Sequence, residues 1–454
     1  MKPMYLYVAG ALLASAVALP IVVKKQIDTQ IEIEKKAMLL SGIDFEVTSE
    51  SGYFSTLREY NLVITDGEKF RDYALNKFAK NNPNYKGLTK MMQKSTDKDI
   101  RPALDGTMFT GTIKTSNLLL EDPFIELSLI SLSDDIMSGM SKKKKTYDVV
   151  KPMLDEKMIT FFITLDSNKK VSKVVMKDID KTIDKDGEEV NFKLKGHKLN
   201  IDITESLAGI YNLDMQSIKA KDFYMQSKDL KYSFDYLTQF ENKTDINLGS
   251  FELEDSTGKL MLGNTKINSH LQIVNDSTLD VDIGYDINNL SFTMQEKLKF
   301  DNFAFKIHAY DIDKDGVMSL NKVYNKVALN PMAMNEDDSV ALTDSTQKIL
   351  NSGFKIDIDT SVRDFYAQDI SLKKVDLIFN LKMEPNTYTM NDPEVEKAFI
   401  VDGSIVFDAN NFQELVMKNK DLEKFKDMGE KDGEDMVFKY QYRDGVWLIN
   451  GKTL

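Results

Sequence analysis

Strict alternation dominates the hydrophobic pattern of the chain. Leu279, Val281, Ile283, Tyr285 and Ile287 alternate with Asp280, Asp282, Gly284, Asp286 and Asn288. Phe354, Ile356 and Ile358 alternate with Lys355, Asp357 and Asp359, and Leu199, Ile201 and Ile203 repeat the theme. Successive side chains of a strand point to opposite faces, so this pattern predicts antiparallel strands with one apolar and one wet face. A parallel α/β sheet would give continuous apolar runs at its centre instead.

Turn signals agree. Asp-Gly occurs seven times, beginning at Asp66, Asp105, Asp186, Asp315, Asp402, Asp432 and Asp444. The pair favours the positive φ angles of a tight hairpin turn. Hairpins are expected over Val171 to Leu194, Phe303 to Val323 and Val437 to Leu448. Helical spacing interrupts the strands near residues 68–92, 145–158, 338–352 and 411–426, the second broken near Pro152. The expected class is mainly β with helical insertions (α+β): an elongated antiparallel meander of long hairpins. No Pro/Ser-rich linker divides residues 42–454, so one β-rich domain is expected there.

The first residues carry a different signal. Met4 to Val23 contains no charge, and twenty helical residues span about 30 Å, the thickness of a bilayer core. Met4, Leu12, Leu13, Val17, Leu19, Ile21, Val22 and Val23 are the anchor residues of a transmembrane helix over 1–23. Small residues from Ala14 to Ala18 leave open a cleaved signal peptide, although the apolar run continues past them. Ile27, Ile31, Glu34-Lys35 and Met38 then predict a juxtamembrane helix over 24–41, ended by Gly42.

Composition narrows the chemistry. Net charge is −13, and −16 beyond residue 25, which repels phosphate backbones and disfavours nucleic acid as a partner. The basic run Lys142 to Lys145 reads as a solvated stretch beside a helix. With no cysteine, disulfides, thiolate metal sites and cysteine nucleophiles are excluded. His197, His270 and His308 show no metal-ligand spacing, and no nucleophile elbow or phosphate-binding loop occurs. Asp311, Asp313, Asp315 and Gly316 match the start of a calcium loop, but Lys322 stands where its bidentate Glu belongs. A hairpin is the expected use of that stretch. No cofactor is expected.

Three stretches resemble the YdgA-like family of Gram-negative envelope proteins, whose function is not established. They are the N-terminal apolar segment with its helical extension, Ser51-Gly52-Tyr53-Phe54-Ser55-Thr56 leading to the strand Tyr60 to Ile64, and Tyr440 to Gly451 at the C-terminal end. The resemblance implies an inner-membrane anchor with the bulk of the chain in the periplasm, and it supplies no catalytic residues. The function expected is non-enzymatic: a scaffold, or a sheet whose apolar face holds a lipid or other apolar ligand. Expected partners are inner-membrane lipid, through the N-terminal helix, and a lipid or envelope protein. Phe54, Phe303, Phe305 and Ile307 are expected inward residues. The alternatives are an envelope hydrolase with a buried carboxylate pair and a calcium sensor at Asp311.

Overall fold

The computed structural model describes residues 24–52, 55–81, 100–117, 123–166, 170–185, 188–203, 206–238, 240–293, 297–329, 335–367, 370–389 and 392–454. The anchor residues from Met4 to Val23 lie outside these, as do Tyr53 and Phe54. Among the described residues no helix is long and apolar enough to cross a membrane. The chain is mainly β, with antiparallel pairing between its described strands, and divides into two compact units, 1–205 with 209–211 and 206–208 with 212–454. The boundary falls inside a strand, which is why no linker composition marks it.

The first unit opens with helix α1 over 24–40, whose half-buried residues include Ile27, Ile31, Glu34, Lys35 and Met38, the predicted stripe. Gly42 ends it in the left-handed region, at φ 74°. Strands β1 (Ile43–Ser51), β2 (Ser55–Ile64), β3 (Met108–Ser116), β4 (Phe124–Ser131), β5 (Thr160–Leu165) and β6 (Val171–Met176) pair in sequence. Strands β7 (Ile179–Lys185) and β8 (Glu188–Lys195) form a hairpin, and β9 (Lys198–Ile203) returns to β6. The hairpin predicted over Val171 to Leu194 is thus confined to its last two strands. Helix α2 (Gly67–Asn81), the short α3 (Ile100–Leu104), α4 (Asp134–Ser141) and α5 (Lys144–Asp155) are inserted between strands. Pro152 does not break α5, because it lies in the last turn and costs the helix a single hydrogen bond.

In this unit Arg58 is 1 % exposed, unusual for so long a charged side chain. Its guanidinium donates to Asp28 Oδ1 of α1 at 2.6 and 3.1 Å and to Thr115 Oγ1 at 2.8 Å. Beside it the buried Thr56 hydroxyl donates to Asn117 Oδ1. This buried polar group fastens α1 to the sheet.

The second unit begins within β10 (Leu207–Ala220) and continues through β11 (Phe223–Thr238), β12 (Glu241–Leu248), β13 (Ser250–Asp255), β14 (Gly258–Leu262), β15 (Thr265–Ile273), β16 (Thr278–Thr293) and β17 (Lys297–Asp313). Helices α6 (Lys314–Leu329) and α7 (Glu336–Ser352) follow, then β18 (Phe354–Ala367), β19 (Ile370–Met383) and β20 (Phe399–Asp408). Helices α8 (Ala409–Lys418) and α9 (Glu423–Lys426) precede β21 (Glu430–Asp432), β22 (Asp435–Arg443), β23 (Val446–Ile449) and β24 (Lys452–Thr453). From β15 to β20 each strand pairs with the next, and β22 then pairs with β20.

Asp-Gly turns out to be less uniform than its hairpin reading. Asp444 (φ 52°) and Gly445 (φ 80°) do form the tight turn between β22 and β23, and Asp432-Gly433 joins β21 to β22. Asp402-Gly403, by contrast, lies in the middle of β20. Asp315-Gly316 lies in the first turn of α6, which replaces the expected Phe303–Val323 hairpin. The Asp313 carboxylate accepts from the Gly316 amide at 2.6 Å, the geometry of a helix N-cap, and Val317, Leu320 and Val323 follow at helical spacing.

A line of kinks crosses this sheet. Apolar residues of β16 occupy 281, 283, 285 and 287, then change phase to Leu290 and Phe292 around Asn289, which has φ 54°. In β17 the phase changes between Phe300 and Phe303, directly opposite, since Leu290 pairs with Phe300 and Asn288 with Asn302. In β18 it changes at Asp364, with φ 48°, between Val362 and Phe365. Gly249 separates β12 from β13, Gly263 and Asn264 separate β14 from β15, and Asp229 (φ 53°) interrupts β11 at the same level. One extra residue bends a strand and shifts its alternation by one. Repeated in register, the insertion keeps the same face of the sheet apolar on both sides of the bend.

Two glycines allow a second device. The Tyr60 hydroxyl crosses Gly111 to donate to the Glu126 carbonyl at 2.8 Å, and the Tyr440 hydroxyl crosses Gly403 to reach the Ile378 carbonyl. A Cβ at either glycine would collide with that carbonyl oxygen. Each tyrosine ring covers the gap left by the missing side chain.

Candidate functional site

The alternation of the second unit sorts its side chains into rows that run from strand to strand. On one face, Ile246, Ile267, Tyr285, Phe305, Thr360 and Leu377 stand in register. Beside them run Thr244, Ser269, Ile283, Ile307, Ile358 and Phe379, and then Leu271, Val281, Ala309, Ile356 and Leu381. Phe303, Phe305 and Ile307 occupy this face as expected; Phe54 lies outside the described residues.

Both margins of the face are covered. Helix α7 packs on β17, and Leu279 of β16 is fully buried. Helix α8 packs on β19, β20 and β22, where Phe412, Phe438 and Ile449 form a buried cluster with Ile405, Phe407 and Met436 around it. The middle differs. Ile246, Ile267, Ile283, Phe305, Ile307 and Ile358 are only half-buried, and Tyr285 is 37 % exposed. Five strands at about 4.8 Å spacing make this stretch about 19 Å wide, more than the roughly 15 Å depth of one bilayer leaflet.

The aromatic edge of the face is on β11. Tyr232, Phe234 and Tyr236 project together, with successive ring centroids 5.4 and 5.7 Å apart. The Tyr236 hydroxyl lies 3.3 Å from that of Tyr232 and 3.1 Å from Thr244 Oγ1. Burial, then the Tyr236 hydrogen bond, pushes the Tyr232 phenol up to about 12, so it is neutral at physiological pH.

The opposite face is polar. Lys243, His270, Asp282, His308, Asp357, Asn380, Asp402 and Gln441 fall in one cross-strand row. His270 and His308, far apart in sequence, flank Asp282 with N···O distances of 3.9 and 3.7 Å. The spacing of histidines along the chain carries no trace of this, because the register creates it. The third, His197, holds the Tyr211 hydroxyl with Nδ1 at 2.6 Å, and burial lowers its pKa.

The calcium-loop residues are used otherwise. Asp311 pairs with Lys355 at 3.0 Å, while Asp313 and Asp315 share Lys348 at 3.5 and 3.1 Å. Among the described residues no group of three or more His, Asp or Glu side chains is arranged to hold a metal ion. The buried carboxylates Asp338 and Asp408 also have structural uses: Asp338 completes the capping box of α7 and Asp408 caps α8. No protein-family model, curated protein or solved structure matches the chain.

Proposed function

We propose that the protein is a non-enzymatic envelope protein that holds a lipid or other apolar ligand against the uncovered face of its second-unit sheet. The observation that carries this reading is the width of half-exposed apolar surface between the two helix-covered margins, centred on Ile283, Tyr285, Phe305 and Ile307. Contiguous apolar patches of this extent on a soluble surface mark binding sites. A β-sheet supports such a site well, because its backbone hydrogen bonds are satisfied within the sheet and only side chains meet the ligand.

In this reading the apolar segment from Met4 to Val23 anchors the chain in the inner membrane and the β units stand in the periplasm, in keeping with the YdgA-like motifs at residues 51–56 and 440–451. Lipid reaches the sheet from the membrane to which the chain is tied. A non-catalytic role is supported by the use of Asp338 and Asp408 as helix caps, which leaves neither as a displaced acid or base. The test is native mass spectrometry of the full chain, purified in mild detergent from a Gram-negative host, combined with lipid extraction. Stoichiometric co-purifying acyl lipid is expected. A ligand-free chain that instead retains an envelope protein would replace this reading with a scaffold role.

A further inference from the structure

The apolar face is not chemically uniform. On β11, β12 and β15 its residues are aromatic, aliphatic or uncharged polar, and the lysines and acids of β12 and β15 project from the other side in alternate positions. At this end the hydroxyls of Tyr232, Tyr236 and Thr244 form a connected chain, with Ser269 next to Thr244 across the strand pair. The row that holds Tyr232 continues through Ile246 and Ile267 to Tyr285 and Phe305. A hydrogen-bonding patch and an apolar track therefore share one surface.

We infer that the hydroxyl chain of Tyr232, Tyr236 and Thr244 is the head-group site for an acyl lipid with an uncharged ester head, such as an acylglycerol. This inference rests on the lipid-binding reading above and adds the chemistry of the ligand's polar end. Ester carbonyls and glycerol hydroxyls accept and donate to neutral phenols without importing a charge. A phosphate or carboxylate head would have to be desolvated on this face, where the described residues of β11, β12 and β15 beside the hydroxyls offer no cation to meet it, which is costly.

The test compares two probes of the same chain length on the full-length protein in dodecyl maltoside, monooleoylglycerol and oleate, with retained lipid read by native mass spectrometry. Wild type should retain monooleoylglycerol severalfold more than oleate. The double variant Tyr232→Phe, Tyr236→Phe should lose that preference while retaining oleate as wild type does, which also shows that the face is intact. Equal retention of monooleoylglycerol by variant and wild type would overturn the head-group assignment alone. Failure of wild type to retain either lipid would overturn the lipid-binding reading as well.

Discussion

Gly249 lies against Asp229, its amide donating to the Asp229 carbonyl at 3.2 Å while Asp229 itself sits in the left-handed region. A side chain at 249 would place its Cβ 2.8 Å from that of Asp229. The two residues mark one point on the kink line, where the bend depends on residues that tolerate unusual backbone or close approach.

Substitution at Asn289 tests that line. Left-handed backbone disfavours side chains branched at Cβ, so Asn289→Val should lower stability by about 1–2 kcal/mol, whereas Asn289→Gly should be tolerated. Urea unfolding of both variants gives the comparison. Equal losses would mean that the conformation of residue 289 is not what holds the bend.

Tyr440 and Gly403 form a second pair with a separable contribution. Tyr440→Phe removes the bond to the Ile378 carbonyl and should cost about 1 kcal/mol. Burial, then the nearby Asp402 carboxylate, raises the Tyr440 phenol from 10.0 to about 12. Its folded pKa is above its unfolded one, so the contribution is complete below about pH 10 and lost as the pH rises toward about 12. The stability difference between wild type and Tyr440→Phe should narrow across that window; a constant difference would contradict the account.

Arg58 should govern the docking of α1. Asp28→Ala leaves a buried guanidinium bonded to Thr115 but without its carboxylate. Because Asp28 is 41 % exposed, water offsets part of the loss, and a cost of about 1–3 kcal/mol is expected. Amide hydrogen exchange over residues 24–40 should accelerate in Asp28→Ala while β16 to β18 remain protected. Unchanged exchange in the helix would show that the pair does not fasten it.

The lysine pairings predict the response to calcium. With Asp311 held by Lys355, and Asp313 and Asp315 by Lys348, added calcium should leave the thermal midpoint unchanged. A midpoint that rises and saturates with calcium would restore the sensor reading of this segment.

Much of the strand structure was legible because alternation is a local signal. Val281, Ile283, Tyr285 and Ile287 announce both a strand and its apolar face, and Gly42 and Asp444-Gly445 mark real ends and turns. Helix α6 is not legible from its first residues, because Asp313 through Gly316 satisfies a hairpin and a calcium loop as well as a helix cap, and only the spacing of Val317, Leu320 and Val323 separates them. The kinks at Asp229, Asn289 and Asp364 leave a readable trace in the sequence, a one-residue phase change in the alternation. By contrast, the buried Arg58 and the His270–Asp282–His308 row depend on register and helix docking, which join residues distant in the chain. The half-exposed state of the apolar face is equally non-local: alternation gives a face its polarity but not its cover.

The most direct measurement places a benzophenone amino acid at Phe305, on the apolar face, and separately at Lys306, on the polar one, in the full chain expressed in a Gram-negative host. After irradiation, lipid adducts should form at 305 and be absent at 306. No adduct at 305, or equal labelling at both positions, would contradict the claim that this face of the sheet carries the ligand.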